Sequence, residues 1–203
     1  MVLYYILLPL AWLVFHIGFR VHTVGRENLR KVQTKGCIIA PNHVSAIDPV
    51  FIVISRFWGR RMLVFAKKEL FEINALLTWF FRCCGALCVR GTKEELEIID
   101  RTVEACRAGE TLLIFPEGTR YKGEEGGAGE FKAGAFRIAV KTGAPVVPVA
   151  ITGARALFEN NGNLCHPGSV HIKVLPPIRT AGMSKAEQKQ LPDAVRQAIL
   201  AQL

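Results

Sequence analysis

The sequence predicts an α/β fold: a largely parallel mixed sheet flanked by helices, with an apolar helix at its N-terminus. Three observations predict it. Short apolar runs of strand length recur at 37–40, 62–66, 86–89, 111–115, 146–151 and 170–175. Segments with helical periodicity fall between most of them, and that alternation builds a parallel sheet with helices on its faces. The chain has 203 residues, 50% hydrophobic and 21% charged, enough for one buried core and short for two domains. Two regions are expected: an apolar membrane-associating helix over 1–20 and a globular domain over 21–203. In sheets of this kind chemistry gathers at loops beyond the strands' carboxyl ends.

Residues 1–19 carry no charged side chain. As a helix they reach ~28 Å, against a hydrocarbon core of ~30 Å. A signal peptide is disfavoured, since no Lys or Arg precedes the run and no small-residue cleavage site follows it. Arg20, Arg26, Arg30 and Lys31 come next, so a spanning helix would hold the rest of the chain on the cytoplasmic side. Pro9 and His16 argue against a span; an interfacial helix with Tyr4, Tyr5 and Trp12 near the headgroups fits equally. The alternative to membrane contact is a helix docked on its own domain, but the near-continuous apolarity exceeds what one docked face requires.

The first strand, 37–40, is ended by Pro41. The stretch from Leu70 to Phe81 is too apolar for an ordinary surface helix; it reads either as an acyl-chain or lipid contact or as a core helix. Thr92 and Glu95 form a capping box for a helix that turns Leu96, Ile99, Val103 and Cys106 toward one face and closes at Gly109. A glycine-rich loop covers 123–134, and a helix over 132–143 follows with Phe136, Ile138, Ala139 and Val140 as its apolar members. Ser184 and Glu187 cap a C-terminal helix that Pro192 is expected to break or restart.

A formal charge of +9 points to anionic partners: nucleic acid, phosphorylated metabolites or an acidic membrane face. Nucleic acid is set aside, because the basic residues are not interleaved with aromatics on a recognisable module. The six cysteines show no Cys-x-x-Cys pair, and they read as reduced and cytoplasmic. No metal is expected, as no His and Cys cluster has zinc spacing. No G-x-S-x-G elbow, P-loop or G-x-G-x-x-G is present, which argues against a serine hydrolase, a nucleotide hydrolase and a dinucleotide enzyme.

Two constellations remain. After the first strand comes Pro41-Asn42-His43-Val44-Ser45-Ala46-Ile47-Asp48. A carboxylate near an imidazole fixes the ring's tautomer and stabilises the imidazolium formed when the ring takes a proton, which suits His43 as a general base oriented by Asp48. Asp48 before Pro49 equally resembles a helix N-cap, and His43 a turn residue. The second is Phe115-Pro116-Glu117-Gly118-Thr119-Arg120, a turn with an acid, a glycine, a hydroxyl and a guanidinium. It reads as a phosphate cradle, or as an ordinary turn in which Glu117 and Arg120 pair with each other or with solvent. Lys67, Lys68 and Arg90 follow strands and are further phosphate candidates or a solvated cationic rim; Lys132 is another residue able to reach an anion.

Asn42-His43 with Asp48, then Lys67-Lys68-Glu69-Leu70-Phe71, the run from Gly85 to Arg90, the run from Phe115 to Arg120, and Val147-Pro148-Val149-Ala150 stand in an order that resembles the 1-acylglycerol-3-phosphate acyltransferases of the glycerolipid acyltransferase superfamily. The likeness covers roughly 20–180, and 21–203 then reads as an acyltransferase domain. The resemblance implies His43 and Asp48 as the catalytic pair. Arg90, Glu117, Gly118, Thr119 and Arg120 become substrate-binding residues, and Lys68, from its place after a strand, joins them as a phosphate contact. The resemblance also implies a lysophospholipid acceptor, an acyl-CoA or acyl-carrier-protein thioester as donor, no other cofactor, and a membrane-associated protein, which the basic residues after the apolar run place at the cytoplasmic face. The expected reaction takes the acyl group to the sn-2 hydroxyl of lysophosphatidate, with a backbone N–H near Gly118 or Asn42 holding the oxyanion. Rival readings are another acceptor (a different lysophospholipid, glycerol 3-phosphate or an amino-lipid) and a non-catalytic peripheral protein that binds anionic lipid.

Overall fold

A computed structural model describes residues 13, 17–32, 36–55, 62–67, 86–89, 93–124 and 126–203. Among the described residues there are seven strands: β1 (Phe19–Val24), β2 (Cys37–Pro41), β3 (Met62–Lys67), β4 (Ala86–Val89), β5 (Thr111–Leu113), β6 (Val146–Thr152) and β7 (Gly168–Val174). They form one sheet in the order β1-β7-β6-β2-β5-β3-β4. Every neighbouring pair is parallel except β6 and β7, so β7 and β1 run against the other five. The expected largely parallel mixed sheet is present.

The burial pattern shows why each run became a strand. Central β2 is buried at every position, as a strand covered on both faces requires. β7 instead alternates, with Val170, Ile172 and Val174 inward and His171 and Lys173 outward. One sheet face packs on α1 (Arg26–Arg30), α2 (Asp48–Ser55) and α5 (Ala154–Leu157), through a core that includes Leu29, Phe51, Ile52 and Leu157 with Ile39, Val149 and Ile151. The other packs on α3 (Lys93–Arg107), α4 (Arg137–Thr142) and α6 (Lys185–Leu200), around Val103, Cys106, Ile138, Leu191, Val195 and Ile199. Two covered faces leave the loops at the strand ends as the place where polar side chains can face a ligand.

β1 differs from expectation. Phe19 and Arg20, assigned by sequence to the apolar helix over 1–20, open a strand that pairs with β7 from Phe19↔Gly168 to Val24↔Lys173. Phe19 is buried and meets the Phe51 ring edge-on at 5.5 Å. The period-two alternation in Phe19-Arg20-Val21-His22-Thr23-Val24 carries that strand, and the preceding apolar run conceals it.

Pro192 also departs from expectation. The capping box forms: the Ser184 hydroxyl accepts from the Glu187 N–H, and the Ser184 N–H donates to Glu187. The helix then continues through Pro192 to Leu200. An interior proline costs ~3 kcal/mol, whereas burying Leu191, Val195 and Ile199 contributes ~1.5–3 kcal/mol each, so the apolar stripe wins. At the end of α3, Gly109 takes φ +90° and the N–H groups of Gly109 and Glu110 donate to Cys106 and Ala105. That is the Schellman pairing that closes a helix, while Thr92 lies outside the described residues. The expected helix over 132–143 is a 3₁₀ turn, Ala133–Phe136, running into α4, and Gly143 ends it. Residues 70–81 lie outside the described residues.

Candidate active site

β2 delivers His43 through a side-chain extension of the sheet. Asn42 is fully buried; its amide donates to the Ile151 carbonyl at 3.0 Å and accepts from the Ile151 N–H at 2.8 Å. Its own N–H donates to Val149 at 3.3 Å. The asparagine thus holds the chain to β6 one residue past Pro41, and His43 emerges at the carboxyl end of the sheet.

The His43 Nδ1 lies 2.9 Å from Asp48 Oδ2. The same oxygen accepts from the Val44 N–H at 2.8 Å and the Ser45 N–H at 2.7 Å. Those donors precede Asp48, so the carboxylate closes the loop behind it instead of capping the helix ahead. A carboxylate oxygen accepts, which places the ring proton on Nδ1 and leaves Nε2 with a lone pair. Among the described residues nothing engages Nε2. Burial pushes the Asp48 carboxyl above its ordinary range, against the pull of His43 and the two N–H groups. Its other oxygen is buried with no partner among the described residues, which adds to that cost.

His43 is fixed from three further sides. Its N–H donates to Glu117 Oε1 at 2.9 Å, its carbonyl accepts from the Tyr121 N–H at 2.7 Å, and its ring lies 4.1 Å from the Phe115 ring at 31°. The side chain is 17% exposed, against 0% for Asp48. A base must reach substrate while its orienter stays dry, and this pair satisfies both requirements.

The turn after β5 corrects several expectations. Glu117, implied by the resemblance as a substrate contact, is 5% exposed, and both of its oxygens are taken by backbone: Oε1 by His43, Oε2 by the Gly129 N–H at 3.1 Å. It braces the His43 loop to the glycine-rich loop. Burial raises its pKa against those two bonds. Gly118 takes φ +70°, and a Cβ there would stand 3.2 Å from the Lys132 ammonium, whose stem runs along the turn. The N–H groups of Gly118 and Asn42, expected near an oxyanion, already donate to Phe115 at 3.0 Å and to Val149. Thr119 and Arg120 are exposed. Arg120 pairs not with Glu117 but with Glu159, Nη1 to Oε1 at 3.0 Å.

Glu159 and Arg155 are site residues that sequence reasoning missed. Glu159 Oε2 accepts from the Ser45 hydroxyl at 2.7 Å and Oε1 from the Ala46 N–H at 2.8 Å, besides Arg120. Partial burial pushes its pKa up, but these donors together outweigh it and hold it below the ordinary value. Arg155 donates to the carbonyls of Val44 at 3.3 Å, Gly123 at 2.5 Å and Tyr121. No motif marks either residue; their i, i+4 spacing after Gly153 is the sole signal in the sequence. β3 and β4 end at Lys67 and Val89; Lys68 and Arg90, the next residues, lie outside the described residues. Among the described residues no cluster of His, Cys, Asp and Glu is arranged to hold a metal.

The acyltransferase family model matches residues 20–152, which contain both constellations. The chain belongs to the acyltransferase family. It is 30% identical over 183 residues to the 1-acyl-sn-glycerol-3-phosphate acyltransferase of Saccharomyces cerevisiae, covering 89% of this chain and 58% of that protein. To the protein of the same name from Borreliella burgdorferi it is 29% identical, covering 92% of this chain and 72% of that one. The crystal structure of the 1-acyl-sn-glycerophosphate (LPA) acyltransferase PlsC from Thermotoga maritima superposes with a TM-score of 0.73 at 29% identity, over 90% of this chain and 70% of that one. This chain therefore spans little more than half the length of the yeast relative.

For an acyltransferase the arrangement is economical. The imidazole presents a lone pair, a buried carboxylate holds its far side, and an exposed guanidinium stands on the adjoining turn. That set can accept a proton and hold an anion.

Proposed function

We propose that this acyltransferase moves a fatty acyl group from an acyl-CoA or acyl-carrier-protein thioester to the sn-2 hydroxyl of lysophosphatidate, giving phosphatidate. The observation that carries the reading is the His43 ring, held at Nδ1 by Asp48 with Nε2 unengaged among the described residues. The names borne by the yeast and Borreliella relatives support the choice of acceptor.

In this mechanism the acceptor hydroxyl attacks the thioester carbonyl while Nε2 of His43 takes its proton. The tetrahedral intermediate then collapses, the C–S bond breaks, and the imidazolium returns the proton to the departing thiolate. Base catalysis contributes ~10²- to 10⁴-fold, and the buried Asp48 stabilises the imidazolium. Arg120, with Thr119 beside it on the exposed turn, binds the acceptor phosphate, and Lys68 and Arg90 share that charge. Holding the phosphate makes the attack effectively intramolecular.

Action at the cytoplasmic face of a membrane belongs to the same reading. Residues 1–18 are uncharged, and β1, which follows them, begins at the sheet end that carries His43: Phe19 pairs with Gly168, beyond the Thr152↔His171 pair that ends β6. An acceptor delivered at a membrane would therefore meet the catalytic end of the sheet. No helix among the described residues is long and apolar enough to cross a membrane. The test follows free thiol release from a long-chain acyl-CoA with and without lysophosphatidate, using wild type and His43→Ala. Release that needs lysophosphatidate and vanishes in His43→Ala is expected; release in the variant at the wild-type rate would refute the mechanism.

A further inference from the structure

The family match ends at residue 152, and two further side chains that bind the catalytic loops together, beside Glu117, stand just beyond it. Gly153 takes φ +86°, and a Cβ there would run into the Ser169 carbonyl, so only glycine lets the chain turn tightly from β6 into α5. Arg155 lies in α5, and Glu159 opens the 3₁₀ turn Glu159–Asn161. Each touches both loops. Arg155 reaches Val44 on one and Tyr121 and Gly123 on the other. Glu159 reaches Ser45 and Ala46 on one and Arg120 on the other.

A carboxylate beside a phosphate site would ordinarily repel the ligand. Here its charge is met by a hydroxyl, an N–H and a guanidinium, so little of it faces outward. Arg120 offers five N–H donors and Glu159 engages one nitrogen, leaving part of the fork unclaimed among the described residues. A half-exposed arginine without such a tether would sample many rotamers, and fixing them at binding would weaken the complex.

We propose that Glu159 is a positioning residue: it holds Ser45 and Ala46 in the His43 loop and aims the free N–H donors of Arg120 at the acceptor phosphate. The inference rests on the reading of Arg120 as the phosphate contact, and the experiment separates the two. Steady-state rates are measured on a soluble short-chain lysophosphatidate and on acyl-CoA for wild type, Glu159→Ala, Glu159→Gln, Arg120→Ala and the double variant Arg120→Ala/Glu159→Ala. A thermal melt accompanies each.

Glu159→Ala should raise the acceptor KM about 5- to 20-fold, leave the donor KM within about twofold, and lower kcat. Glu159→Gln keeps the shape and an acceptor oxygen, so it should recover most of kcat while the acceptor KM stays raised, because the charge on Arg120's partner is gone. In the Arg120→Ala background, removing Glu159 should leave the acceptor KM unchanged while kcat still falls, since only the Ser45 and Ala46 contacts remain to be lost. A merely structural glutamate would instead move both KM values together. The proposal is overturned if the two KM effects add in the double variant, or if Arg120→Ala raises the acceptor KM and neither Glu159 variant does. An unchanged acceptor KM in Arg120→Ala would overturn the phosphate reading, and the aiming role with it. Should the melt show Glu159→Ala unfolded, Glu159→Gln decides: a wild-type acceptor KM there overturns the proposal.

Discussion

Glu117→Gln separates a substrate contact from a brace. The carboxylate accepts two backbone N–H bonds, one from His43 at 2.9 Å and one from Gly129 at 3.1 Å, and is almost fully buried. An amide of the same shape has one acceptor oxygen, so it can serve only one of them and must turn its own N–H groups toward the other. An unsatisfied buried donor costs ~1–3 kcal/mol. Removing a charge that burial disfavours returns part of that, so the net loss should be ~1–2 kcal/mol. For a chain of this size that lowers Tm by about 2–8 °C. The same change loosens the backbone at His43, and a base displaced by about 1 Å loses on the order of 10²-fold. The assay pairs calorimetry with kinetics on a soluble acceptor. Lower Tm, kcat reduced about 10- to 100-fold and an acceptor KM within about twofold are expected. A raised acceptor KM with unchanged kcat and Tm would refute the brace and restore Glu117 as a substrate contact. The pH dependence carries a sign. Because the folded-state pKa lies above the ordinary 4.5, the wild-type contribution from this group is fully present below that value and falls as pH rises through the raised pKa. The stability gap between wild type and Glu117→Gln should therefore narrow as pH rises across that window.

His43→Ala should reduce transfer about 10²- to 10⁴-fold with the fold intact by circular dichroism. Asp48→Asn should retain measurable activity, because the Val44 and Ser45 N–H groups hold the amide oxygen where Oδ2 stood and so preserve the ring tautomer; a loss as complete as that of His43→Ala would contradict this. Arg120→Lys should restore only part of the acceptor KM lost in Arg120→Ala, since an ammonium cannot reproduce the planar fork; full restoration would reduce Arg120 to a point charge. Direct attack by the acceptor predicts no acyl-enzyme: mass spectra of protein mixed with donor alone should show no transfer-competent adduct on Cys83, Cys84 or Cys88, and a stoichiometric one would replace the mechanism with a covalent scheme.

What the sequence disclosed and what it hid divide by distance along the chain. The run 37–40, the capping box at Ser184 and the His43–Asp48 pair depend on residues within a few positions of one another, and each appears where expected. The Glu117 brace spans 74 residues and the Glu159 contact to Ala46 spans 113, so no local pattern could expose them. β1 was hidden for another reason: six alternating residues adjoin a much longer apolar run, whose helical reading absorbed the first two. Pro192 misled because its local rule is sound, and only the burial of Leu191, Val195 and Ile199 against the sheet overrides it.

Burial also sorts the motif residues by role in a way that motif order alone does not. Asn42, Asp48 and Glu117 lie in the two constellations and are buried, and every bond they make reaches the backbone or the His43 ring. A group whose polar atoms are turned inward cannot also contact an acceptor, so these three shape the site and do not bind within it. His43, Thr119 and Arg120 keep part of their side chains outward, and among the described polar side chains of the two constellations they are the ones that can meet a substrate. The lone pair of one and the guanidinium of another then specify the smallest chemistry the site can perform: taking a proton from a group whose neighbour is an anion.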